Sequence, residues 1–72
     1  MPQAAAAIRT YRILFRDARS VLGNTQEADL GSDEEARQLA SRMLNAQTAS
    51  AHAEVWDRAR LVCTVRRANN GD

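Results

Sequence analysis

Residues 31–45 read GSDEEARQLASRMLN, and this stretch predicts a single amphipathic helix. Ser32 followed three positions later by Glu35 is the pattern of a capping box, in which two side chains satisfy free backbone N–H groups. Asp33, Glu34 and Glu35 fill the first turn, where the helix dipole favours negative charge. The apolar residues recur every three or four positions and form one stripe: Ala36, Leu39, Ala40, Met43 and Leu44. The stripe predicts the surface against which the other segments pack.

The acidic first turn has two interpretations. Three consecutive carboxylates could attract a cation or a basic partner. Acidic residues also occupy first turns simply because they stabilise the start of a helix, and this is the commoner reason. We therefore interpret residues 33–35 as helix capping.

Length, charge and cysteine content exclude several classes of protein. The 72 residues form at most one domain, and ten basic against nine acidic residues leave a net charge of +1. No global field therefore selects a nucleic acid or an acidic surface. The single cysteine, Cys63, excludes an internal disulfide and fits a reducing compartment. No apolar run approaches the roughly 20 residues of a membrane span, and the first residues lack a signal-peptide pattern, so we expect a cytoplasmic protein.

Residues 8–22 satisfy two structural patterns. As a helix, this segment has an apolar face opposite four arginines, with Gly23 placed as a C-cap. As a strand, Tyr11, Ile13 and Phe15 share one face, and Asp17–Ser20 forms a turn because Asp favours its first position. A returning strand then begins at Val21.

Residues 51–67 pose the same choice between a helix and a hairpin. The hairpin interpretation has strands at Ala53–Trp56 and Leu61–Val65, joined by a turn at Asp57–Arg60. The second strand is rich in β-branched residues, which favours the hairpin. A helix here has no clear cap.

Three motifs resemble a group of small, uncharacterised bacterial proteins. They are Tyr11-Arg-Ile-Leu-Phe-Arg-Asp17, Ser32-Asp-Glu-Glu-Ala36, and Glu54-Val-Trp-Asp-Arg58 with Arg60-Leu-Val62. The resemblance covers roughly residues 11–65 and implies a ββαββ fold, with no activity, cofactor or site. The chain departs from the pattern in the first turn, where such proteins commonly have glycine and this sequence has Ala18-Arg-Ser20.

The resulting prediction is an α+β domain of ββαββ order, with an antiparallel four-stranded sheet and one helix packed on one face. Its boundaries are a disordered lead-in at 1–8, the domain at 9–66 and a disordered tail at 67–72. The alternative is a three-helix bundle with helices near 4–22, 33–45 and 49–65.

Four-residue turns in both hairpins predict that Phe15 pairs with Leu22 and Val55 with Val62, on the face that the helix covers. A mixed apolar and basic set then lies on the other face: Leu14, Val21, Trp56, Leu61, Cys63 and Val65, with Arg12 and Arg16. An apolar patch with arginines and a tryptophan is typical of an interface, so we expect a homodimer or a protein partner there. A shift of one residue would instead turn Trp56 into the core.

The predicted function is a small, non-enzymatic interaction or accessory module. The alternative is a nucleic-acid-binding module that uses the arginines of the hairpins and tail: Arg9, Arg12, Arg16, Arg19, Arg58, Arg60, Arg66 and Arg67. An enzyme is disfavoured because His52 and Cys63 are the only residues of their kinds and give no metal-ligand spacing. We predict no cofactor, no metal, no small-molecule substrate and no membrane association.

Overall fold

The structure, a computed structural model, describes residues 8–67. The elements are β1 (Arg9–Arg16), β2 (Leu22–Leu30), α1 (Asp33–Ala46), β3 (His52–Asp57) and β4 (Arg60–Arg66). The four strands form one antiparallel sheet in the order β2-β1-β3-β4. This confirms the predicted α+β fold of ββαββ order, and the alternative of a three-helix bundle is wrong.

The core lies between α1 and one face of the sheet. From Tyr11 onward on β1, and throughout β3, the odd-numbered residues are buried, because alternate side chains of a strand point to opposite faces. The fully buried apolar residues are Tyr11, Ile13, Phe15, Ala36, Ala40, Leu44, Ala53 and Val55. The predicted helix stripe therefore supplies the helix side of the core, with Leu39 and Met43 packed against it.

The helix begins with the predicted cap. Ser32 Oγ accepts a hydrogen bond from the Glu35 backbone N–H at 3.1 Å. The Glu35 carboxylate reaches back to the backbone N–H of Gly31 at 3.0 Å, one residue before the position that the sequence predicted. Both free N–H groups are thus satisfied by side chains of the same turn.

The other end of α1 is held by a residue from the opposite end of the domain. The last turn of α1 has no basic residue of its own. Instead Arg67 Nη2 donates to the carbonyls of Leu44 at 2.9 Å and Ser50 at 2.7 Å, and also to that of Gln47. Arg67, which the sequence analysis placed at the start of the tail, thus contacts the end of α1 through its guanidinium. Residues 1–7 of the predicted lead-in and 68–72 of the predicted tail lie outside the described residues.

The first turn forms where it was predicted, but the strand register differs. The Ser20 N–H donates to the Asp17 carbonyl at 2.9 Å, and Asp17 Oδ1 accepts from the backbone of Arg19 and Val21. The connection runs through Val21, and Gly23 then forms a bulge, so Phe15 pairs with Asn24. The predicted pairing of Phe15 with Leu22 is therefore wrong.

The second hairpin also contains a bulge. Arg58 and Ala59 connect the strands, and Trp56 pairs with Leu61. Val62 is then the extra residue, so Val55 pairs with Cys63 and the predicted pairing with Val62 is wrong. One inserted residue turns the rest of β4 over, because the side-chain period of a strand is two.

Candidate interaction surface

The face of the sheet opposite α1 is uncovered by any element of the described chain, and we call it the open face. Its composition follows from the strand register, because directly paired antiparallel residues share a face. It carries Thr10, Arg12, Leu14 and Arg16 of β1, Leu22, Thr25, Glu27 and Asp29 of β2, His52, Glu54 and Trp56 of β3, and Leu61, Thr64 and Arg66 of β4.

Trp56 lies on the open face and not in the core. It alternates along β3 with the buried residues Val55 and Asp57 and is itself partly exposed. Its indole N–H donates to Glu54 Oε1 at 3.2 Å, which orients the ring along its own strand. On the neighbouring strands Trp56 is paired with Arg12 and Leu61. The predicted placement of Trp56 on the uncovered face is thus what the structure has.

The apolar part of the open face is smaller than the sequence predicted. Leu14, Trp56 and Leu61 occupy it as expected. The placement of Cys63 and Val65 there is wrong, because the bulge at Val62 turns both towards α1, where they pack against the core.

Val21 also departs from the prediction. It lies in the connection between β1 and β2 and not within a strand, and it is 57% exposed. Its place outside the strand follows from the longer turn, whose hydrogen bonds to Asp17 include the Val21 N–H. Val21 therefore lies outside the sheet.

Charge on the open face is balanced. This face carries three guanidinium groups and three carboxylates. The guanidinium groups are those of Arg12, Arg16 and Arg66, and the carboxylates are those of Glu27, Asp29 and Glu54. Near the centre, Arg16 Nε lies 3.3 Å from Glu54 Oε2 and Arg16 Nη1 donates to the Ser20 carbonyl at 3.0 Å. Within residues 8–67, Arg12, Arg66 and Glu27 form no ion pair. These three charges are available to a partner.

A second set of polar groups joins four elements, β1, α1, β3 and β4, at the edge of the core, and we call it the Asp57 network. Asp57 is only 7% exposed and accepts from Arg9 at 2.6 Å and from Arg60 at 2.9 Å. The Arg60 guanidinium also donates a hydrogen bond to each carboxylate oxygen of Asp33, both at 3.1 Å. The buried Tyr11 hydroxyl donates to Asp33 at 2.7 Å. The acidic first turn of α1 therefore does more than cap the helix, because Asp33 binds the β3–β4 hairpin.

The Asp57 network shifts the pKa values of its members. Hydrogen bonds from Arg60, and then from Arg9, lower the pKa of Asp57, since they stabilise its charged form. Hydrogen bonds from Arg60 and Tyr11 lower the pKa of Asp33 in the same way. Burial, and then the bond to Asp33, raises the pKa of Tyr11. These charges are thus satisfied by one another, which suits a structural role.

The sequence interpretation missed this network. Its one local signal is the spacing of Asp57 and Arg60 across the second turn, which forms an ion pair three residues apart. Arg9 lies 48 residues from Asp57 in the chain, and Asp33 lies 27 residues from Arg60. No pattern within a single segment reveals partners that far apart.

Half of the arginines predicted to contact phosphates have other partners. Arg9 and Arg60 bind carboxylates of the Asp57 network, Arg16 lies against Glu54, and Arg67 binds carbonyls at the end of α1. Arg12, Arg19, Arg58 and Arg66 form no ion pair within the described chain. The basic surface is therefore half of what the sequence suggested.

The groups that enzymes commonly use are scattered or occupied. Within residues 8–67, no three His, Cys, Asp or Glu side chains are grouped as a metal site would need. A shallow cleft of about 430 Å³ is lined by Ile8, Arg9, Thr10, Asp57 and Arg58, but its Arg9 and Asp57 bind each other. Burial raises the pKa of the Cys63 thiol, which disfavours the reactive thiolate.

No helix in the described part of the chain is long and apolar enough to cross a membrane. Comparison with protein-family models, with curated proteins and with solved structures found no match for this chain. The resemblance to small bacterial ββαββ proteins therefore stays a prediction.

Proposed function

We propose that this protein is a small, non-enzymatic interaction module of the cytoplasm that self-associates through the open face, with Trp56 as the anchor. The observation that carries the proposal is the exposure of a tryptophan on a sheet face that no described element covers. Tryptophan and arginine are enriched at the centres of protein interfaces, and both meet here where Trp56 pairs with Arg12. A second copy fits this face because its charges are balanced.

The size of the face sets the expected strength of association. Four strands about 4.8 Å apart, with side chains on one face about 6.7 Å apart along each strand, give a projected area of a few hundred Å² per copy. This is below the roughly 800 Å² per partner of a standard interface. We therefore expect a weak dimer whose dissociation constant is micromolar or higher.

Sedimentation equilibrium over a wide concentration range tests the proposal. The wild-type chain should form dimers at high concentration, and Trp56→Ala should weaken them about thirtyfold or more, since anchor residues contribute about 2 kcal/mol or more. Val21→Ser is the matched control, because Val21 is an exposed apolar residue outside the sheet. Circular dichroism of each variant verifies the fold. A wild-type chain that stays monomeric at the highest attainable concentration would exclude self-association.

Nucleic-acid binding is the second candidate, favoured by the presence of Arg12 and Arg66 on the same face as Trp56. A tryptophan that can stack on bases, with arginines on the same face, is a combination that single-stranded nucleic acid can use. Three carboxylates on that face oppose a polyanion, so we rank this candidate below self-association. Titration with single-stranded and duplex oligonucleotides at low salt distinguishes the two.

A further inference from the structure

Two of the three charges that lack an ion pair, Glu27 and Arg66, are placed at opposite corners of the open face. Across the strand order β2-β1-β3-β4, the first row is Glu27, Arg12, Trp56, Leu61, the second is Thr25, Leu14, Glu54, Thr64, and the third is Leu22, Arg16, His52, Arg66. Glu27 thus stands at one corner, with Asp29 beyond it on the same strand. Arg66 stands at the diagonally opposite corner, next to His52.

The grid of side chains is nearly square. Three inter-strand spacings of about 4.8 Å give a width of about 14 Å, and two steps of about 6.7 Å give a height of about 13 Å. Rotation of a second copy about a two-fold axis in the plane of the interface reflects the grid across that axis. When the axis follows the diagonal from Leu22 to Leu61, the corner of Glu27 falls on the corner of Arg66.

From this geometry we infer that two copies pack through their open faces about the Leu22–Leu61 diagonal, with Glu27 of each copy against Arg66 of the other. The inference rests on the proposed function, since it specifies how the self-association takes place. Strands of the two sheets then cross at about a right angle, which is one of the two arrangements that packed sheets adopt. The interface is isologous, so each copy contributes both charges and the dimer has two such pairs.

The remaining side chains of the face are compatible with this arrangement. Leu61 lies on the axis and meets its own counterpart, and Trp56 meets the partner surface between Leu61 and Thr64. The two Glu54 carboxylates approach each other at the centre. Each is offset by Arg16 of its own chain, 3.3 Å away, and by Arg12 of the other copy. Arg12 thereby gains the carboxylate partner that it lacks within residues 8–67.

Two charge-reversal variants test the arrangement, because each should weaken the dimer alone and the mixture of both should restore it. Glu27→Arg alone should weaken homodimerisation about tenfold or more, because it places arginine against Arg66 at both ends of the interface. Arg66→Glu alone should weaken it similarly, by placing glutamate against Glu27. An equimolar mixture of the two variants should form a heterodimer about as strong as the wild-type dimer, since both pairs are then again of opposite charge. Arg19→Glu is the control, because it reverses a charge in the β1–β2 turn, outside the open face.

The outcomes separate this inference from the proposed function. Rescue in the mixture supports the diagonal arrangement. Single variants that associate as the wild type does would overturn it and leave self-association standing. Single variants that are monomeric and stay so when mixed would overturn it as well. A monomeric wild type would overturn both. Glu27 and Arg66 are exposed on the two edge strands, and circular dichroism verifies that each variant is folded.

Discussion

At the residue scale, two positions carry backbone strain. Ser20 has φ 66° and Arg58 has φ 58°, which is the left-handed region that favours glycine. Each residue lies in the turn of one hairpin, where the chain must reverse. Ser20 closes the Asp17–Ser20 turn, so the first hairpin places this strain on a residue that has a side chain.

Substitution of either residue by glycine should raise the free energy of unfolding. The left-handed conformation destabilises a residue that has a side chain by about 1–2 kcal/mol. Glycine removes this strain, but its greater flexibility in the unfolded chain offsets about 0.5–1 kcal/mol of the gain. We therefore expect Ser20→Gly and Arg58→Gly each to stabilise the domain by about 0.5–1 kcal/mol, measured by urea unfolding. Ala59→Gly is the matched control, because Ala59 follows Arg58 in the same turn without a positive φ. Equal effects of Arg58→Gly and Ala59→Gly would contradict the assignment of strain.

At the element scale, α1 is stabilised by different means at its two ends. The first turn is capped by neighbours in sequence, Ser32 and Glu35. The last turn depends on Arg67, which follows β4 and reaches carbonyls 17 to 23 residues earlier in the chain. Sequence reasoning found the first cap because its pattern is local. It assigned Arg67 to the tail because the partners of that residue are distant.

Loss of the Arg67 side chain should loosen the end of α1. Hydrogen bonds from a charged donor contribute about 1.5–3 kcal/mol, and the carbonyls released here are partly free to bind water. We expect Arg67→Ala to lower the free energy of unfolding by about 1–3 kcal/mol, with faster amide exchange over the last turn. Arg42→Ala is the control, since Arg42 is an exposed residue of the same helix that forms no ion pair within residues 8–67. Unchanged exchange in the last turn of Arg67→Ala would contradict this role.

At the scale of the whole molecule, the Asp57 network connects the start of β1, the start of α1 and the β3–β4 hairpin. The carboxyls of Asp57 and Asp33 have lowered pKa values in the folded chain. As the pH falls, these two carboxyls are therefore protonated at a higher pH in the unfolded chain than in the folded chain, which favours unfolding. The stabilisation from these carboxylates is complete above about pH 5, and it is lost as the pH falls below about 4 towards their folded pKa values.

Asp57→Asn should lower stability at neutral pH and reduce its dependence on acid. The charge that binds Arg9 and Arg60 is removed, so there is less stabilisation for protonation to abolish. Urea unfolding at pH 7 and pH 3, at a concentration where the chain is monomeric, measures both effects. Glu27→Gln is the control, because it removes an exposed carboxylate outside the Asp57 network. An equal loss of stability between the two pH values in wild type and Asp57→Asn would count against the network.

The sequence by itself determined the helix, its N-terminal cap, the Asp17–Ser20 turn and the alternation that buries Tyr11, Ile13 and Phe15. These features depend on spacings within a few residues, where propensity, capping and periodicity act. It also placed Leu14, Trp56 and Leu61 on the open face, because the pairing of Trp56 with Leu61 precedes the bulge.

The tertiary structure alone decided the strand order, the bulges at Gly23 and Val62, the Asp57 network and the role of Arg67. The bulge at Val62 turns Cys63 and Val65 towards α1, and their burial there is favourable because it removes apolar surface from water. The sequence around these residues does not reveal this gain, because it depends on the distant helix. The network likewise forms only when segments far apart in the chain come together. Register and long-range ion pairs are properties of the packed molecule, so they appear only once the helix covers the sheet.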